Sequence, residues 1–293
     1  MAITTDSVMA DTVPTVLENA RFTEQFSAIM SGLVWKIRKK LHDGKNVNVP
    51  IFGTITARAL TEGVDNTVSE TMSDSLVTIT PAEVGTKLIL TDKLVRDDSE
   101  DIKAAAGRLL GAAMELKRDQ DLLALFSTAA TTLGTSDVAT LGQIAAARAI
   151  IKGNPVSSGG PGPGSLAYVQ HPYVMLDLVD VFTPLVASAS IQSVSDSINE
   201  VVRNYGVGKL FGMPAIEDGN IDTTTVANSA LGGVFCTGEG GAIILATAAE
   251  WGIEPERDAS LRATELNIVG EYGVSWYDTN WGVLMTNDAA TPA

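Results

Sequence analysis

Apolar positions make the first division of the chain. Phe22, Phe26, Ile29, Leu33, Ile37 and Leu41 recur at intervals of three and four, which predicts an amphipathic helix over residues 14–43 after a loose start. Lys36, Arg38, Lys39 and Lys40 fall in its last turns, where positive charge suits the negative end of the helix dipole, and Gly44 then stops it. From Asn46 the period drops to two. Val47, Val49 and Ile51 alternate with polar neighbours, and Gly53–Thr56 continues the extended pattern. A polar stretch, 61–70, separates these from strand patterns at 76–80 and 87–91. Two strand arms around a polar tip predict a long hairpin, which has little core of its own and must lie on something else.

The best helical pattern covers residues 98–126. Asp98 or Ser99 can cap it, Glu100 and Asp101 sit in its first turn, and Ile102, Ala106, Leu109, Ala113, Leu116, Leu123 and Phe126 make an apolar stripe. Lys117 and Asp121 lie four apart on the other face. At about 1.5 Å per residue this helix would run ~40 Å, long for a domain of ordinary size. A shorter Ala-rich helix fits 141–152, and the Gly/Pro-rich segment 153–164 can only be an exposed loop. Residues 166–169 read as a short buried strand, and His171-Pro172 opens a helix with proline at its first position. A helix over 193–204 is followed by strand patterns at 234–237, 243–246, 261–269, 274–277 and 283–286. Helices and strands interleave without a βαβ rhythm, which favours an α+β fold; no internal repeat occurs.

Composition supports a folded chain. The 293 residues are 45% apolar and 19% charged, enough for a substantial core and for about two domains. No apolar run is long enough to span a membrane, and the first residues lack the basic start and apolar stretch of a secretory signal, so a cytoplasmic product is expected. The formal charge of −15 repels nucleic acid and anionic lipid rather than recruiting them. Positive charge concentrates near the start. The run 36–40 could touch DNA, but a solvated helix face or a salt contact to an acidic neighbour fits better.

The reactive residue types stand alone or in structural patterns. The single cysteine, Cys236, excludes an internal disulfide and reads as a small buried apolar residue within Val234-Phe235-Cys236. His42 and His171 have no partner at metal-ligand spacing. The glycines of 159–164 alternate with prolines, which lack the N–H groups of a phosphate cradle, and Gly238–Gly241 reads as a turn. The acids at 97–101 serve the helix dipole without needing a cation. No catalytic, cofactor-binding or metal-ligating residue is assigned, and an enzyme is not expected.

Certain stretches have a familiar wording. They are Thr91–Asp98 leading into the long helix, that helix's end at Arg118–Leu123, Tyr168–Pro172, and Gly208–Ile216. The closing parts Gly252–Asp258, Tyr272-Gly-Val and Trp281–Met285 belong with them. In this order, over roughly residues 20–287, they resemble the major capsid proteins of tailed bacteriophages, the Hong Kong 97-like family. No single motif is specific; the ordered combination carries the likeness.

The resemblance implies an α+β fold in four parts. These are an N-terminal arm (1–45), an extended β-hairpin loop (46–95), a peripheral domain with a long spine helix (96–140 and 248–278), and a mixed axial domain (141–247 and 279–293). It also implies a structural subunit of an icosahedral virion capsid, assembling in the host cytoplasm into hexamers and pentamers around double-stranded DNA. Sequence-specific DNA binding, a membrane and a cofactor are not implied; a portal and a cement protein are possible partners. Some members cross-link through a lysine in the extended loop, but no lysine lies between Lys45 and Lys87 here, so a non-covalent shell is expected. The short stretch ahead of the arm helix leaves little room for a built-in scaffold, which points to a separate scaffolding protein. Val49, Ile51, Phe52 and Ile55 are expected to face a neighbouring subunit, with Lys36, Arg38, Lys39 and Lys40 meeting its acids. Two other readings stay open: an encapsulin-type compartment filled with protein cargo, and a soluble acidic hydrolase.

Overall fold

The computed structural model describes residues 28–40, 44–97, 102–178, 208–224 and 228–291. The first half forms α1 (Met30–Leu33), β1 (Trp35–Arg38), β2 (Val47–Phe52), β3 (Asp74–Ile79), β4 (Ala82–Thr91), α2 (Asp92–Asp97) and α3 (Ile102–Ala124). After a 3-10 turn at Leu125–Thr128 come β5 (Thr131–Asp137), α4 (Leu141–Lys152), β6 (Leu166–Gln170) and α5 (residues 172–178). The remainder is β7 (Lys209–Leu210), β8 (Met213–Glu217), β9 (Ser229–Cys236), β10 (Ile243–Asp258), β11 (Ala263–Trp276) and β12 (Gly282–Asp288).

These strands make three sheets: β1-β10-β11-β4, β5-β12-β9-β6-β8-β7, and the pair β2-β3. Helix α3 joins the first two. Ile102 and Ala106 pack on Leu90 and Leu94, and Leu110 and Met114 on Ile268. Leu122, Leu123 and, just beyond the helix, Phe126 then enter the main core with Tyr168, Phe235 and Trp276. Phe126 meets Phe235 and Trp276 edge-on at centroid distances of 5.5 and 6.1 Å, a preferred aromatic geometry. Trp276 buries its ring but keeps its N–H bonded to the Leu125 carbonyl at 2.9 Å. All five residues of β6 are buried, as expected for an apolar run flanked by β9 and β8. Gln170 at its end donates to the Met285 carbonyl at 3.2 Å and ties β6 across to β12.

Several sequence expectations change. The helix expected over 14–43 is, in its described part, only the single turn α1. Residues 35–38 are strand, paired in parallel with β10 from Trp35↔Ile244 to Arg38↔Thr247. That stretch also alternates, with Trp35 and Ile37 half-buried and Lys36 and Arg38 exposed, and pairing gives the open edge of β10 its backbone partners. Residues 14–27 and 41–43, and the expected cap at 98–101, lie outside the described residues, as does the helix expected at 193–204. Hairpin strand β2 stops at Phe52 rather than continuing to Thr56.

The buried stripe of α3 is rotated by one position near its middle. Leu110 and Met114 are buried, while Leu109 is 46% exposed. Adjacent leucines at 109 and 110 make periodicity alone ambiguous, and contact with β11 decides between them. The separate strands expected at 261–269 and 274–277 are one strand, β11. Gly270 interrupts its apolar pattern and lies at a register shift opposite β10, where Trp251 packs against it, but its pairing to Val84 of β4 carries the strand through. Strand β4, grouped by sequence with the loop, joins the β10–β11 sheet, and β5, grouped with the spine helix, joins the six-stranded sheet. The α4 helix carries the full reciprocal cap, Thr140 with Gln143.

Candidate assembly surfaces

The β2–β3 pair runs antiparallel from Val47↔Ile79 to Phe52↔Asp74. Its base is fixed to the body. Val49 and Ile79 pack with Ile244 and Ala246, and Tyr277, edge-on to Trp35 at 5.5 Å, donates its hydroxyl to the Pro50 carbonyl at 3.5 Å. Beyond that base every residue from 52 to 76 is exposed. Arg58 and Glu70 link the two sides of the projection at 2.9 Å, yet Phe52, Ile55, Leu60, Val64, Met72 and Leu76 remain in solvent. A run of large apolar side chains on a projecting element, with strand edges that carry unpaired N–H and C=O groups, marks an interaction surface.

The residues singled out for contact divide accordingly. Phe52 and Ile55 are 59% and 69% exposed, Ile51 is half-buried, and Val49, at 6%, is turned into its own chain. Val49 therefore anchors the hairpin base rather than facing a neighbour, because it lies over β10, where the pleat directs it inward. The basic run does not line a helix end. Lys36 and Arg38 project from β1, Arg38 pairs with Glu250 of the same chain at 3.0 Å, and Lys39 donates to the Lys45 carbonyl at 3.4 Å. Lys40 is exposed.

Reactive residue types take structural places. The ring of His171 accepts the Tyr173 N–H at Nδ1 (3.2 Å) and stacks edge-on against Tyr173, while burial lowers its pKa. Cys236 is buried, and burial pushes its thiol up to about 11, away from reactivity. His42 lies outside the described residues. Among the described residues no group of three or more His, Cys, Asp or Glu converges on a cation site, and no helix is long and apolar enough to cross a membrane. One cavity of about 440 Å³ opens beside the end of α3, lined by Gln120, Leu123, Ser127, Asn220, Asp222 and Thr224. Beside it lie two buried acids that sequence reasoning passed over, Asp119 and Asp218. A signal existed for the first: Asp119 stands three and four residues before Leu122 and Leu123, so an acid occupies the buried face.

No protein-family model matches the chain, and no curated protein is similar to it in sequence. Solved structures are. The head structure of Helicobacter pylori bacteriophage KHP40 superposes with a TM-score of 0.71 at 12% identity, over 99% of this chain and 98% of that one. The chain has the Hong Kong 97-like capsid fold. This α+β capsid fold recurs in Gordonia phage Cozz, with a TM-score of 0.70 at 14% identity over 97% of this chain and 94% of that one. It recurs again in the capsid of a native GTA particle, at 0.66 and 12% identity over 94% and 95%. Near-complete coverage in both directions means that the capsid fold accounts for the hairpin and the long helix as well as the two larger sheets.

Proposed function

We propose that this chain is the major capsid protein of a tailed phage, a structural subunit that self-assembles into hexamers and pentamers of an icosahedral shell around double-stranded DNA. The observation that carries this reading is the hairpin. A projecting element that exposes several large apolar side chains, on a chain with the capsid fold, gains its missing burial from a neighbouring copy. Phe52, Ile55 and half-buried Ile51 are the proposed contact residues, with Lys36, Lys39 and Lys40 the charges available to a neighbour's acids and Arg38 shared with Glu250. The shell is non-covalent in this reading, since the loop between Lys45 and Lys87 holds no lysine. The proposed division is an arm (1–45), an extended loop (46–95), a peripheral part (96–140 and 248–278) and an axial part (141–247 and 279–293). A separate scaffolding protein, a portal and a cement protein complete the proposed set of partners, and assembly takes place in the host cytoplasm. The formal charge of −15 suits a container that holds DNA without gripping it.

Size-exclusion chromatography followed by negative-stain electron microscopy of the recombinant protein, alone and with a scaffolding protein, is the direct test. Closed shells, rings or capsomer sheets are expected. A species that stays a monomer or dimer under both conditions overturns the proposal, and shells purified with a protein cargo in place of DNA replace the phage reading with a cellular compartment.

A further inference from the structure

Three parts of the chain meet at one buried polar cluster. Asp119 of α3 is fully buried; its Oδ1 accepts the Met30 N–H at 2.9 Å, where the N-terminal segment joins the body as α1. Its Oδ2 accepts the Asn220 side-chain N–H, also at 2.9 Å. Asp218, 1% exposed, stands just past β8, where its own N–H is bonded to the Gln170 carbonyl at the end of β6 (3.0 Å). Its Oδ1 accepts the Asn220 backbone N–H at 2.9 Å, and its Oδ2 is buried with no donor to accept from. Asn220 thus bridges the two buried carboxyls, its side chain bonded to Asp119 and its backbone N–H to Asp218.

Among the described residues, the charged groups on the surrounding elements do not relieve them. On α3, Arg118 is engaged by Glu115 at 2.5 Å and lies over the Trp251 ring, and Asp121 is bonded to Lys117 and Tyr272. From the β6–α5 junction comes His171, with its Nδ1 taken by Tyr173. On the same turn as Asp218, the exposed Asp222 accepts from the Thr224 N–H and hydroxyl at 2.7 Å. Segment α1 contributes the Met30 amide. With no cation beside them among the described residues, an ionised Asp218 would be repelled by its acidic neighbour and leave Oδ2 unpartnered, whereas a proton on Asp218 gives that oxygen a hydrogen bond to donate.

We propose that Asp218 keeps its proton in this cluster and forms with Asp119 and Asn220 a pH-dependent latch, which holds α1 and the end of α3 against the β8 turn while Asp218 is protonated and loosens once it ionises. The latch belongs to the single chain and stands whether or not the shell reading does. Burial first, then the neighbouring Asp119, pushes Asp218 up to about 7 from 3.8, against the Asn220 bonds that hold it down. The sign follows from linkage. The folded pKa exceeds the unfolded one, so the stabilising contribution is complete below about 3.8 and is lost as pH rises to about 7.

Hydrogen exchange of the purified full-length chain, read at residues 28–33 and 217–222 and corrected for intrinsic exchange, tests this. Protection is expected to fall about tenfold between roughly pH 6 and pH 8 and to level off above that. In Asp218→Asn, which keeps the shape without the charge, it should change less than about twofold across the same range. Asp119→Asn should move the wild-type transition to lower pH. If wild-type protection is flat, or if Asp218→Asn shows the same fall, the latch is wrong. Should Asp218→Asn fail to fold, infrared difference spectroscopy of the wild type decides. Loss of a buried carboxylic C=O band between pH 6 and 8 supports the proton on Asp218, and no such band excludes it.

Discussion

Phe126 shows how much one residue can hold. It is fully buried, sits in the 3-10 turn just beyond α3, and meets Phe235, Trp276 and the backbone of Gly233, so it closes the gap between the long helix and the six-stranded sheet. Phe126→Ala removes those contacts and leaves a cavity between the Phe235 and Trp276 rings and the Gly233 backbone. A loss of about 3–5 kcal/mol is expected, read by chemical denaturation of the unassembled subunit. Its place at the end of an apolar stripe was legible in the sequence. The choice of Leu110 over Leu109 was not, because two adjacent leucines satisfy a 3.6-residue period equally and only the facing strand distinguishes them. The buried pair Asp119 and Asp218 was also out of reach, since the two are brought together across the fold and not by spacing.

At the scale of elements, the β2–β3 hairpin separates stability of the subunit from stability of the assembly. Its base is part of the subunit core through Val49 and Ile79, and its outer half touches nothing of its own chain that buries it. Replacing Phe52 and Ile55 by serine should leave the unfolding free energy of the isolated subunit within about 0.5 kcal/mol, as for other surface changes. The same variant is expected to lose most of its yield of assembled particles in quantitative electron microscopy. Normal yield would show that these side chains face solvent in the particle too. The arms were legible because a period of two over 47–51 and 76–80 has no helical alternative. Residues 35–38 were misread because the local pattern fits both periods, and the unfilled edge of β10, more than 200 residues away, settles it.

For the whole molecule the charge distribution carries the prediction. Lys36 and Lys40 project from an otherwise acidic chain of formal charge −15, so copies repel one another except where such cations meet acids. Lys36→Glu with Lys40→Glu should slow assembly, measured by light scattering, by about tenfold at low salt, and the deficit should shrink as ionic strength rises. Equal rates for variant and wild type at every salt concentration would remove these lysines from the interface.

Across these scales the sequence alone determined what short-range physics can determine. It specified an α+β chain, the arms of a hairpin, the existence and approximate length of the long helix, the capped helix at 141–152 and the buried strand after the Gly/Pro loop. Each rests on periodicity or a local hydrogen bond within a few residues. Tertiary structure alone decided sheet membership, most plainly for β1, β4 and β5, since strand partners lie far apart in the chain and any open edge with the right pleat can accept them. It also decided which hairpin residues face inward, and that two aspartates 99 positions apart occupy one buried cluster. Burial and like-charge proximity are properties of the folded chain, and no local pattern encodes them.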